Sequence, residues 1–167
     1  HGNVLAFIFG IPLTLLLYYY LSDILEFSIS EKNKHLIPYA MDYASFVVLS
    51  IYFNYASFVF QGFYNGIKMT KIHMKVMVMA NLLNVYLNAG FIYGSENVDI
   101  FLNEYHVGWL SFLWNIIEFP QMHVQGAGLA TMIASIAMFC MYVLFLFKSA
   151  IHEKFQCFAI QINKSIL

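Results

Sequence analysis

The side chains best suited to chemistry are three asparagines, Asn81, Asn84 and Asn88, inside the uncharged apolar stretch from Val76 to Gly94. At 100° per residue they fall within roughly 60° of one another on a helix and form one stripe. A buried amide without partners costs roughly 2–7 kcal/mol in an apolar medium. We therefore expect the stripe to face other helices, water or a ligand, and not lipid.

Asn84 and Asn88 are spaced to act together, because side chains four residues apart on a helix project in the same direction. Their amide oxygens are ligands that a hard cation such as Na⁺ accepts, so the pair could hold one ion between them. Neutral amides do not balance the charge of the ion. A carboxylate is therefore expected from elsewhere.

Asp42 is the only acid within an apolar segment. An acid inside a membrane suggests proton coupling. The alternative is a carboxylate near the headgroups, paired with Lys32 or Lys34. The sequence is compatible with both interpretations.

The composition assigns the chain to the membrane, since 61% of its residues are hydrophobic and only 10% are charged. Each apolar segment has about the 20 residues that a spanning helix needs. We predict an all-α membrane protein with four spans at residues 3–22, 38–62, 74–94 and 124–147, the first bent at Pro12. No span holds a nucleophile with a base, or paired carboxylates, so we predict no enzyme activity, no organic cofactor and no nucleic-acid partner.

The lysines predict the orientation, because the chain contains no arginine. Three of them lie in the loop at 68–75 and three more at 148–164, on the same side if all four segments cross. The positive-inside rule makes that side cytoplasmic. We expect a multi-pass protein of the cell membrane, with residues 148–167 as a cytoplasmic segment.

Two connections have a predicted structure of their own. Gly62 and Gly66 favour a tight turn between the second and third spans, with Thr70 as the N-cap of the helix that follows. In the long connection after the third span, residues 108–119 have a narrow polar face and a broad apolar one. That pattern predicts an amphipathic helix lying in the membrane interface.

Several short motifs follow one another along the chain. They are Gly66-Ile67-Lys68-Met69-Thr70-Lys71, the pair Asn84 and Asn88, Phe91-Ile92-Tyr93-Gly94, and Gly126-Ala127-Gly128-Leu129-Ala130-Thr131. In this order and spacing they resemble the amino-terminal lobe of the multidrug and toxic compound extrusion (MATE) family. The resemblance covers essentially the whole chain and matches the third to sixth of twelve helices. It implies a fragment of a six-helix lobe.

The resemblance implies a secondary antiporter that exports organic, often cationic, compounds in exchange for Na⁺ or H⁺. In relatives a cation site uses an acid on the first helix, polar residues on the fifth and a hydroxyl on the sixth. The matching positions here are Asn84, Asn88 and Thr131, and no metal other than Na⁺ is expected. The implied partners are small organic substrates, the lipid bilayer and the remainder of the same transporter.

Other readings of these residues stay open. Asparagine in a membrane helix often forms a structural hydrogen bond to a neighbouring helix, and this is the interpretation we favour for Asn81. Thr131 could instead bond back to the preceding helical turn. For the chain as a whole, the alternatives are a flippase for lipid-linked oligosaccharides of the same superfamily and a non-transporting membrane assembly subunit.

Overall fold

The computed structural model describes the backbone of residues 2–148 and of residue 151, and the side chains from residue 8 onward. Six α-helices occupy this part of the chain. They are α1 (Gly2–Tyr19), α2 (Leu21–Ser28), α3 (Ile37–Gly66), α4 (Thr70–Glu104), α5 (Phe112–Asn115) and α6 (His123–Lys148). Two 3₁₀ turns, Glu31–Leu36 and Gly108–Leu110, lie in the connections. Most of the segment predicted at 148–167 falls outside the described residues.

The long helices fit a bilayer, and the chain is an all-α membrane protein as predicted. Three described helices are long and apolar enough to cross, and a fourth crossing exists if the bent pair α1–α2 is one span. The bend in that pair is 59°. It lies at Tyr20, whose backbone (φ −90°, ψ 7°) interrupts the helix. The predicted bend at Pro12 is not where the chain turns, because Pro12 stays inside α1.

Helix α6 packs against α3 and against α4, while α1 packs against α3. Two glycines near the start of α6 allow these close approaches. A Cβ on Gly126 would lie 2.5 Å from the carbonyl oxygen of Phe91 on α4, and one on Gly128 would lie 2.6 Å from that of Tyr43 on α3. Small residues let membrane helices approach closely without a hydrophobic driving force between them. These two glycines therefore set the spacing at one end of the bundle.

An aromatic cluster closes the bundle where α3 turns into α4. The Tyr64 hydroxyl donates to the Tyr142 carbonyl at 2.9 Å, and the Tyr142 hydroxyl lies 2.6 Å from His73 Nδ1. Tyr64 and Tyr142 are almost fully buried, and Val76 of α4 is buried in the same cluster. Both buried hydroxyls have partners, and the two contacts link α3, α4 and α6.

The turn between α3 and α4 differs from the predicted glycine hinge. Gly62 lies inside α3 and Gly66 is its last residue, while the left-handed residue is Lys68 (φ 62°). Met69 occupies the N-cap position without a side-chain hydrogen bond, so the prediction that Thr70 caps α4 is wrong. Thr70 is the first residue of that helix. The turn closes instead through backbone bonds, including Met69 N–H to the Tyr64 carbonyl at 2.9 Å.

Helix α4 breaks at Gly94, the residue at which the third span was predicted to end, and a further helical stretch then continues to Glu104. Gly94 has φ 78° and ψ 156°, a conformation open to glycine and strained for other residues. The break leaves the Phe91 carbonyl free to accept the Met122 N–H at 2.7 Å. The connection after α4 is therefore hydrogen-bonded back to α4 at the break.

The predicted amphipathic helix at 108–119 is reduced to a 3₁₀ turn and the four-residue α5. The Ser95 hydroxyl donates to the carbonyls of Trp114 (2.9 Å) and Ile117 (3.2 Å) and accepts the Phe119 N–H at 2.9 Å. Phe119 is buried against α4. These bonds use backbone groups that a continuous helix would need, so α5 does not continue as a hydrogen-bonded helix beyond its C-cap residue Ile116.

Candidate functional site

The two asparagines expected to act together are in direct contact. Asn88 Nδ2 donates to Asn84 Oδ1 at 2.8 Å, and both side chains are half-buried. A regular helix produces this contact, because residues four apart lie one above the other on the same face. The two amides therefore lie close enough to bind one small ion, provided that the Asn88 amide turns its oxygen toward it.

Thr131 lies at the level of this pair on the neighbouring helix. Leu87 and Ala130, the chain neighbours of Asn88 and Thr131, are buried in one cluster between α4 and α6. The Thr131 hydroxyl donates to the Ala127 carbonyl at 2.9 Å, which is the back-bonded arrangement left open above. Its lone pairs remain available to a ligand. Within the described residues, no hydrogen bond joins Thr131 to either asparagine.

Asn81 takes no part in this contact. It lies on the exposed side of α4, beside the exposed apolar residues Leu82 and Val85, and no hydrogen bond to its side chain is present among the described residues. The expected hydrogen bond between Asn81 and a neighbouring helix is therefore not found among the described residues. In a bilayer an amide on this face needs a hydrogen-bonding partner from another polar group, because lipid chains provide no donors or acceptors.

Asp42 is exposed in the second turn of α3, and Ser45 donates to its backbone carbonyl at 3.1 Å. Lys34 forms its ion pair with Glu31, at 2.6 Å, and no ion pair to Asp42 is present among the described residues. The suggested pairing of Asp42 with Lys32 or Lys34 is therefore not found. Asp42 stands apart from the Asn84–Asn88 contact and has no described connection to it.

Comparison with protein-family models matches residues 1–89 to the family described as MatE. The matched region is more than half of the chain and includes α1–α3 and the part of α4 that carries both asparagines. The chain belongs to the MatE family. This confirms the family suggested by the motifs.

MatE proteins are transporters, not enzymes, so the general class of this chain is membrane transport. The match ends at Ala89, directly after Asn88, and Thr131 lies beyond it. Comparison with curated proteins and with solved structures gives no match.

The MatE chain also contains a polar contact that the sequence reasoning missed. Asn54 Nδ2 of α3 donates to the Ser135 hydroxyl of α6 at 3.0 Å, and Ser135 donates to the Thr131 carbonyl at 2.8 Å. The available signal was Ser50, Asn54 and Ser57, which recur at the helical spacing i, i+4, i+7 in an apolar segment. That is the same kind of pattern as the asparagine stripe.

Proposed function

We propose that this chain works within a secondary antiporter that exports organic, often cationic, compounds in exchange for Na⁺ or H⁺. Membership of the MatE family supports transport. The contact between Asn84 and Asn88 carries the more specific proposal, because it places two amide groups within reach of one cation.

The cation site would combine three neutral side chains of this chain with a carboxylate from outside it. Asn84 and Asn88 supply amide oxygens, and Thr131 supplies a hydroxyl at the same level of α6. Na⁺ accepts oxygen ligands of these kinds, but the carboxylate is needed to balance its charge. With H⁺ as the coupling ion, that carboxylate would carry the proton and the amides would hydrogen-bond to it.

The exposed face of α4 supports the presence of further helices beside this site. Met77, Val78, Leu82 and Val85 are exposed there together with the amide of Asn81. Apolar side chains tolerate lipid, but an amide in the hydrocarbon region needs a hydrogen-bonding neighbour. We propose that helices of the same transporter cover this face and bring the carboxylate.

The positions of the lysines support the proposed orientation. Tyr64, Val76 and Leu146 share one cluster, so the turn between α3 and α4 lies at the same end of the bundle as the end of α6. Lys68, Lys71, Lys75 and Lys148 are exposed at that end. The positive-inside rule makes it cytoplasmic in the cell membrane.

Site variants test the proposal in cells that lack other efflux systems and carry the full-length transporter. Asn84→Ala and Asn88→Ala should each weaken Na⁺-dependent or H⁺-dependent efflux of a fluorescent organic cation, while membrane insertion stays intact. Asn97→Ala is the matched control and should leave the ion response unchanged, since Asn97 lies on α4 beyond the break at Gly94 and bonds back to the Tyr93 carbonyl. Unchanged ion-dependent efflux in both site variants would contradict the cation site.

A further inference from the structure

An open groove lies between α4 and α6, near the end of the bundle that carries the lysines. It has a volume of about 240 Å³. One side chain of α4 and four of α6 line it, namely Met79, Met141, Leu144, Phe145 and Lys148. Lys148 is also the last residue of α6. The groove is therefore apolar along its walls and positively charged at one end, and we call it the α4–α6 groove.

Helical spacing places a second lysine on the same side. The four lining residues of α6 recur at i, i+3, i+4 and i+7, which is one face of a helix. On α4, Lys75 precedes Met79 by four residues, so its side chain lies on the same side of the helix, one turn nearer the end of the bundle. Lys75 and Lys148 are both exposed. Each wall of the groove thus contributes one lysine.

No described carboxylate balances these two charges. The chain contains no Asp or Glu from residue 43 to residue 95 or from residue 119 to residue 152. Within the described part of the chain, neither Lys75 nor Lys148 forms an ion pair. Two further exposed lysines, Lys68 and Lys71, lie at the same end of the bundle. This end therefore attracts an anionic partner.

We propose that the α4–α6 groove binds an anionic phospholipid, with an acyl chain along its apolar walls and the phosphate at Lys75 and Lys148. Lysine side chains extend along apolar surface and keep their ammonium groups at the level of the headgroups. Basic pockets between membrane helices bind anionic lipid headgroups in this way. The orientation proposed above places the site in the cytoplasmic leaflet, which is the negatively charged one.

The position of the groove favours lipid over a further helix of the transporter. At about 100° per residue, Asn81 lies about 200° around α4 from Met79. The groove is therefore not on the face that we expect other helices to cover. A helix seated in the groove would also remove the ammonium groups of Lys75 and Lys148 from the headgroup region, which is costly for unpaired charges.

Lipid binding to the purified full-length protein, measured by native mass spectrometry, tests the headgroup contact. At equal concentration, phosphatidylglycerol should be retained more than phosphatidylcholine. Lys75→Gln and Lys148→Gln should each weaken phosphatidylglycerol binding about fivefold, the contribution of one lysine near an anionic headgroup. Lys68→Gln is the matched control and should change binding little, because it removes the same charge from the turn before α4, outside the groove.

A fourth variant tests the acyl-chain contact. Leu144 is exposed and lines the groove, so Leu144→Trp fills the groove without disturbing a buried residue. It should weaken phosphatidylglycerol binding although both lysines remain. Inorganic phosphate at the same concentration as the lipid should not displace it, because a free anion cannot use the apolar walls.

Several results would overturn the lipid site. Equal retention of the two lipids, or an equal loss in Lys68→Gln, would show only a general attraction between lysines and the membrane. Unchanged binding in Leu144→Trp, or displacement by inorganic phosphate, would assign a free anion. In a density map of the full-length protein in phosphatidylglycerol nanodiscs, a lipid chain beside Leu144 supports the site, and a protein helix there contradicts it. None of these measurements depends on the proposed antiport.

Discussion

Asn88 donates a hydrogen bond to Asn84 across one turn of α4, with 2.8 Å between Nδ2 and Oδ1. The bond uses one amide hydrogen of Asn88 and one lone pair of Asn84, so Asn88 keeps its carbonyl oxygen and Asn84 keeps its amino group and a second lone pair. That remaining capacity is what the proposed cation site would use. It is available to a cation, to a protonated carboxylate or to water from outside the described chain.

Two substitutions of Thr131 distinguish the contribution of its hydroxyl group to transport from the contribution of its side-chain shape. Thr131→Val keeps the branched side chain but removes the oxygen, so the ion response of transport should weaken while the protein still inserts. Thr131→Ser keeps the oxygen and should retain most of that response. Ion-dependent efflux measured for both variants checks this prediction, and equal efflux in the two would assign the hydroxyl only to its bond with Ala127.

The bond between Tyr142 and His73 should contribute to stability. Tyr142→Phe keeps the stacked ring but removes the hydroxyl that lies 2.6 Å from His73 Nδ1, leaving that nitrogen without a described partner. We expect a loss of about 1 kcal/mol, measured as a Tm lower by about 2–4 °C. Tyr55→Phe, at an exposed tyrosine of α3, should change the Tm little. Equal shifts for the two variants would show that the His73 contact is not stabilising.

Replacing glycine with alanine should have opposite effects on the stability of the protein at Gly128 and at Gly62. Gly128→Ala places a Cβ 2.6 Å from the Tyr43 carbonyl oxygen, and the overpacking should destabilise the protein by about 1–3 kcal/mol. Gly62→Ala meets nothing within 4 Å inside α3, so it should stabilise the helix by about 0.5–1 kcal/mol. Thermal unfolding of both variants provides the measurement. If Gly62→Ala destabilised the protein instead, Gly62 would be required as glycine, as the predicted hinge implies, although the structure places it inside α3.

The sequence could predict the features that depend on local pattern. Long apolar runs predicted the helices, and the spacing of Asn84 and Asn88 predicted a shared face, since both follow from helical geometry alone. Each of these predictions needs only neighbouring residues.

The features that sequence reasoning missed depend on distant contacts. The region around 108–119 has a helical pattern, but Ser95 of α4 binds its backbone and Phe119 is buried against the same helix. The helical spacing of Ser50, Asn54 and Ser57 is a local signal, but Ser135, the partner of Asn54, lies 81 residues away in sequence. The turn before Thr70 contains a left-handed lysine where glycine was expected. Tertiary packing outweighed local preference in each case.

The most direct test of the proposed function is uphill transport by the full-length protein in proteoliposomes. An imposed Na⁺ or H⁺ gradient should drive a fluorescent organic cation against its own gradient, and collapsing the ion gradient should stop the movement. Asn84→Ala and Asn88→Ala should reduce this coupled transport several-fold. Movement of the dye that is indifferent to both ion gradients, or movement of a lipid-linked oligosaccharide instead, would contradict the proposed antiport.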